Sequence, residues 1–90
     1  MTIEKITDEV IRICRRHGVR ELFLFGSYAE GTAAPTSDID FVVKGAEDVE
    51  ALREQIDEIP TLKKIDVFDY DTCENPDLKE AMDRYGKKIY

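Results

Sequence analysis

The segment Ser37-Asp38-Ile39-Asp40-Phe41-Val42-Val43 constrains this chain more than any other stretch. Side chains alternate between faces along an extended strand. Asp38 and Asp40 then share one face, while Ile39, Phe41 and Val43 share the other and point into a core. Two like charges on one face of a buried strand repel each other, and they are costly unless a cation sits between them. The pattern predicts a strand, Asp38 to Val43, buried on one side and carrying paired carboxylates on the other.

The elements around it follow from spacing and from turn chemistry. Ile3, Ile6, Val10, Ile13, Cys14 and His17 recur at helical intervals, with Thr2 to cap the start and Gly18 to stop the end. Val19 to Phe25 reads as a short buried strand. Gly26 to Gly31 is a small-residue turn with room for one helical turn, and Pro35 breaks the loop that follows. After Lys44-Gly45, the residues Val49, Leu52, Ile56 and Ile59 form the stripe of a second amphipathic helix, which Asp48 favours at its start and Pro60 ends. Lys64 to Phe68 is a third strand. Asn75-Pro76-Asp77 is a strong helix start, Leu78, Ala81, Met82 and Tyr85 form the apolar side, and Gly86 closes it. Lys87 to Tyr90 has room for a short last strand. Helices interleaved with three short strands imply a two-layer α/β (α+β) domain, with a small mixed sheet carrying the helices.

Composition sets outer bounds. Ninety residues make one small domain, residues 1–90, and 42% hydrophobic content supplies one core. A net charge of −7 argues against direct nucleic-acid binding, which needs clustered Lys and Arg, and suits divalent cations or a basic partner. The first residues do not form a signal peptide and no apolar run approaches membrane-spanning length, so a cytoplasmic location is expected. Cys14 and Cys73 lack metal-ligand spacing, and Cys14 belongs on an apolar helix face.

Three groups of residues carry the chemistry. Gly26 permits close backbone approach to a phosphate, and Ser27 adds a hydroxyl and a backbone N–H at the start of a helical turn. Asp38 and Asp40 are candidate metal ligands. Asp66, in mid-strand among β-branched residues, is expensive there unless used, and it completes a set of three carboxylates if its strand lies beside Asp38-Ile39-Asp40. Such a set suits Mg²⁺, and two ions about 4 Å apart can stabilise the attacking and leaving oxygens of an in-line displacement. Asp66 is also placed to help deprotonate an attacking hydroxyl. Each residue alone has an ordinary use: a turn for Gly-Ser, a cap for Ser37-Asp38, an edge-strand charge for Asp66. Arg53, Lys63 and Lys64 read as surface charges, with contact to a phosphate as the other use. Asp69, Asp71, Glu74 and Asp77 read as a solvated loop, and Tyr70, Tyr85 and Tyr90 as packing residues.

Phe25-Gly26-Ser27-Tyr28-Ala29-Glu30-Gly31 followed by Ser37-Asp38-Ile39-Asp40-Phe41-Val42-Val43 resembles the signature of the minimal nucleotidyltransferases of the DNA polymerase beta superfamily. Ile65-Asp66-Val67 is similar to that family's third-carboxylate strand, and the likeness runs over nearly the whole chain. It implies a polymerase-beta-like fold, Gly26, Ser27 and Ser37 at the nucleotide, and Asp38, Asp40 and Asp66 as catalytic residues and Mg²⁺ ligands. The implied reaction moves AMP from ATP to a hydroxyl. The implied partner is a HEPN-domain protein, with the chain as antitoxin and a tyrosine of the toxin as acceptor. The chain departs from the family pattern at Tyr28 and Glu30, where members often carry Arg and another basic residue, so two positive charges are missing beside the expected phosphate site.

Two other functions fit the same residues. One is a non-catalytic antitoxin that neutralises its partner by complex formation. The other is AMP transfer to a small molecule, for which a partner chain or a homo-oligomer mate must wall in the acceptor.

Overall fold

A computed structural model describes residues 1–90. The elements run α1 (Ile3–Arg16), β1 (Glu21–Phe25), α2 (Ser27–Glu30), β2 (Ile39–Lys44), α3 (Val49–Asp57), β3 (Ile65–Asp69), α4 (Pro76–Tyr85) and β4 (Lys87–Lys88). The expected caps are in place: Thr2 accepts from the N–H of Lys5, Asp48 from that of Ala51, and Asn75 from those of Asp77 and Leu78.

The sheet has four strands in the order β3-β2-β1-β4, where three were expected. β1 pairs antiparallel with β2 and with β4, and β2 pairs parallel with β3. The short β4 is the added strand. It is two lysines long, pairs with Phe23 and Leu24, and lies in the segment Lys87 to Tyr90 that had room for a short last strand. The mixed α/β class is as expected. Strand limits shift slightly: β2 begins at Ile39, so Asp38 immediately precedes it, and β1 begins at Glu21 rather than Val19.

The alternation in β2 sorts the layers. Ile39, Phe41 and Val43 are fully buried and join Ile6, Val10, Ile13 and Cys14 of α1, Leu22 of β1, Leu52 and Ile56 of α3, and Val67 of β3 in one core. On the opposite face Val42 is also buried. There α4 supplies Met82, which lines a small cleft with Phe23, Val42 and Tyr70. Helices therefore lie on both faces. Only the end of the second face is covered by α4; Asp40 and Asp66 occupy the other end. Tyr85, expected to pack, is half-exposed at the end of α4. No helix is long and apolar enough to cross a membrane.

Candidate active site

The parallel register of β2 and β3 sets Asp40 directly beside Asp66. The antiparallel register of β1 and β2 sets Phe25, the last residue before the Gly-Ser turn, opposite Asp40. The residues from three separate parts of the sequence therefore meet at one end of the sheet. Phe68, two residues beyond Asp66 on the same face, packs edge-on against Phe25 with ring centroids 6.2 Å apart.

Gly26 has φ +72° and ψ −152°, a conformation essentially reserved for glycine. A Cβ here would run into the carboxylate of Asp40. The turn therefore rests its backbone against the acidic strand, and Gly26 is required both for conformation and for space. From it α2 starts, with the N–H groups of Ala29 and Glu30 returning to the Gly26 carbonyl. Gly31, at φ +76°, ends the turn.

The carboxylates differ in surroundings. Asp38 is exposed, whereas Asp40 and Asp66 are partly buried. The Asp40 carboxyl is pushed up to about 6, first by burial, then by the charge of Asp66, its hydrogen bond with Asp66 and the charge of Asp38; Lys64 opposes these effects. The Lys64 ammonium lies 3.7 Å from Asp66, so it partly balances the pair. No three His, Cys, Asp or Glu side chains form a finished metal cage. The donor chemistry still fits a hard divalent ion: two carboxylates side by side with a third nearby, repelling each other, against the backbone of Gly26. Asp38, Asp40 and Asp66 are the carboxylates that could hold one.

Other expected site residues stand as follows. Ser27 opens α2 beside Gly26 and remains partly exposed. The hydroxyl oxygen of Ser37 accepts from the N–H of Ala34 at 2.8 Å, which closes the Ala34–Ser37 turn leading into β2 and leaves the hydroxyl proton free to be donated. Two residues read as surface charges have structural tasks. Arg53 reaches from α3 to donate to the carbonyl of Val67 through Nε at 3.3 Å and Nη2 at 2.9 Å. Lys63 donates to the carbonyl of Pro35 at 2.5 Å and lies 5.6 Å from the ring centre of Tyr28. The acidic loop is partly used as well: Asp71 accepts from the N–H of Gly45 at 2.7 Å and so ties the end of β3 to the end of β2. None of these long-range contacts has a signal in the local sequence.

The nucleotidyltransferase domain family matches residues 7–89. The chain belongs to that family. A relative from Methanocaldococcus jannaschii, named putative protein adenylyltransferase MJ0435, is 35% identical over 87 residues, spanning 91% of each chain. Among solved structures, a chain of a toxin–antitoxin complex with AMP-PNP superposes with a TM-score of 0.69 at 24% identity, over 92% of this chain and 71% of that one. A mutant of the toxin–antitoxin pair MntA-HpeT superposes with a TM-score of 0.67 at 22% identity, over 92% of this chain and 71% of that one. These structures share the nucleotidyltransferase fold described above. The matched segment contains Gly26, Ser27, Asp38, Asp40 and Asp66, so the expected site lies wholly inside the family domain.

Proposed function

We propose that this nucleotidyltransferase transfers AMP from ATP to a protein hydroxyl, with Mg²⁺ held by Asp38, Asp40 and Asp66. The observation that carries the reading is the Asp40–Asp66 pair, brought side by side by the β2–β3 register against the backbone of Gly26. A triphosphate fits an open backbone turn at the start of α2, with Gly26, Ser27 and Ser37 beside it. The metal, when bound, neutralises the carboxylates and offsets charge on the phosphates. Asp66 is the residue to accept the acceptor's proton. The hydroxyl oxygen then bonds to the α-phosphorus, the bond from that phosphorus to the bridging oxygen breaks, and pyrophosphate leaves.

The acceptor we propose is a tyrosine of a HEPN-type toxin for which this chain is the antitoxin. The name of the archaeal relative and the toxin–antitoxin neighbours support a protein acceptor. The charge of −7 favours a second reading, neutralisation of a basic partner by binding alone. One experiment separates the two. The protein is incubated with α-labelled ATP, Mg²⁺ and the product of the neighbouring gene, alongside Asp38→Asn and Asp40→Asn variants. Label on the partner that disappears in both variants is the expected result. Neutralisation without label, unchanged in the variants, would establish binding alone.

A further inference from the structure

A triphosphate beside three carboxylates concentrates negative charge, and the Gly-Ser turn itself offers no cation: Tyr28 and Glu30 occupy α2. A positive side chain reaches the turn from elsewhere. Lys63 lies in the segment before β3, far from the turn in sequence. Its ammonium donates to the Pro35 carbonyl at 2.5 Å and faces the Tyr28 ring at 5.6 Å. It thereby bridges the loop leading to Asp38 and the helical turn carrying Ser27. Lys63 also stands at the rim of a cleft between α3 and β3, with Arg53 and Ile56 on one side and Lys64 and Asp66 on the other; the Gly-Ser turn does not line it.

Two lysines meet the site, and they are engaged differently. Lys64 lies 3.7 Å from Asp66 and is spent on the carboxylate pair. Lys63 has no carboxylate partner among the protein's ion pairs. One of its three N–H bonds is used by Pro35, and two remain. The carbonyl and the aromatic face hold the ammonium between the Pro35 loop and α2.

We propose that Lys63 is the phosphate-binding cation of this site, supplied from the β3 side and seated on Tyr28. The proposal rests on the nucleotidyl-transfer reading above, since it assigns a residue to the phosphates of the same nucleotide. Tyr28 is then the platform that orients Lys63, which gives an aromatic residue in α2 a use.

A contact to phosphate and a purely structural staple make different predictions. If Lys63 meets the phosphates, its loss weakens binding progressively along the series adenosine, AMP, ADP, ATP. A staple would weaken all four alike or none. Binding of each ligand with Mg²⁺ is measured by calorimetry for wild type, Lys63→Met and Lys63→Arg. Loss of one charged contact should weaken ATP on the order of 10- to 100-fold in Lys63→Met, leave adenosine within about twofold, and be largely restored in Lys63→Arg. Equal affinities for ATP in wild type and Lys63→Met would overturn the assignment and leave the enzyme reading standing. Wild-type protein that binds no ATP would overturn both. Amine acetylation of wild-type protein, read by mass spectrometry, keeps the test open should Lys63→Met fail to fold: Mg²⁺-ATP should protect Lys63 and adenosine should not. Equal labelling of Lys63 in the two states would overturn the assignment.

Discussion

Asp40 is where burial and charge compete most directly. Its folded-state carboxyl titrates near 6 against an ordinary 3.8, because burial and the charge of Asp66 disfavour its ionised form. The folded protein therefore holds that proton more tightly than the unfolded chain does. Stability should fall as pH rises from about 4 to about 6, and the penalty is fully present above that window. Asp40→Asn removes it. The full shift would correspond to about 3 kcal/mol, and for a partly exposed group solvent screening reduces this to on the order of 1 kcal/mol. Urea denaturation at pH 7 without metal should show the variant gaining that amount while transfer of label is lost. A variant less stable than wild type at pH 7 would contradict the account. Gly26 predicts the reverse sign. Gly26→Ala must hold a side chain at φ +72° and press it on Asp40, so a loss of about 1–3 kcal/mol is expected in the same assay. The pairing of acids was legible in Asp38-Ile39-Asp40, because period two is a local rule. The glycine's second duty was not, because the contact with Asp40 exists only after β1 and β2 pair.

Elements were legible wherever a local signal marks their ends. Thr2, Asp48 and Asn75 cap helices as their chemistry dictates, and Gly18 and Gly31 take the positive φ that stops a helix or turn. What joins elements was not legible. Val67 sits in β3, a sheet edge, and its outward carbonyl needs a donor that no neighbouring residue supplies; Arg53 provides it from α3. Arg53→Met keeps much of the aliphatic stem and removes both hydrogen bonds, so it should destabilise the protein by about 1–2 kcal/mol. Amide exchange should then accelerate in β3 and α3 more than in α1. Uniform acceleration across all helices would mean that Arg53 is not a local tie. Asn75→Ala offers a calibrated comparison, with a loss of about 1 kcal/mol expected from the cap alone and faster exchange confined to α4. Helical spacing places Tyr85 with Leu78 and Met82, yet at the last residue of α4 its side chain stays half-exposed while Met82 is buried.

At the scale of the molecule, one closed face and one half-covered face explain how so small a chain keeps both a core and a site. α1 and α3 pack the core against one side of the sheet, while α4 leaves the end holding Asp40 and Asp66 open. The end of the chain reinforces the closed side: the Tyr90 hydroxyl donates to the Val19 carbonyl at 2.9 Å, and Arg15 stacks on its ring at 4.2 Å. Cys14 lies in this closed region, fully buried, with burial pushing its thiol up to about 12. Cys73 lies in the loop before α4 and is only partly buried. The two thiols therefore report on different levels of opening. Under native conditions an alkylating reagent should label Cys73 quickly and Cys14 at a rate set by opening of the core, since a buried, protonated thiol does not react. Intact mass should show one label in buffer and two in urea. Tyr90→Ala should speed Cys14 labelling while leaving Cys73 unchanged, because it removes the strap and nothing near the loop. Rapid labelling of Cys14 in native wild-type protein would mean that α1 leaves the sheet readily, and the open site beside Asp40 would then have no rigid base.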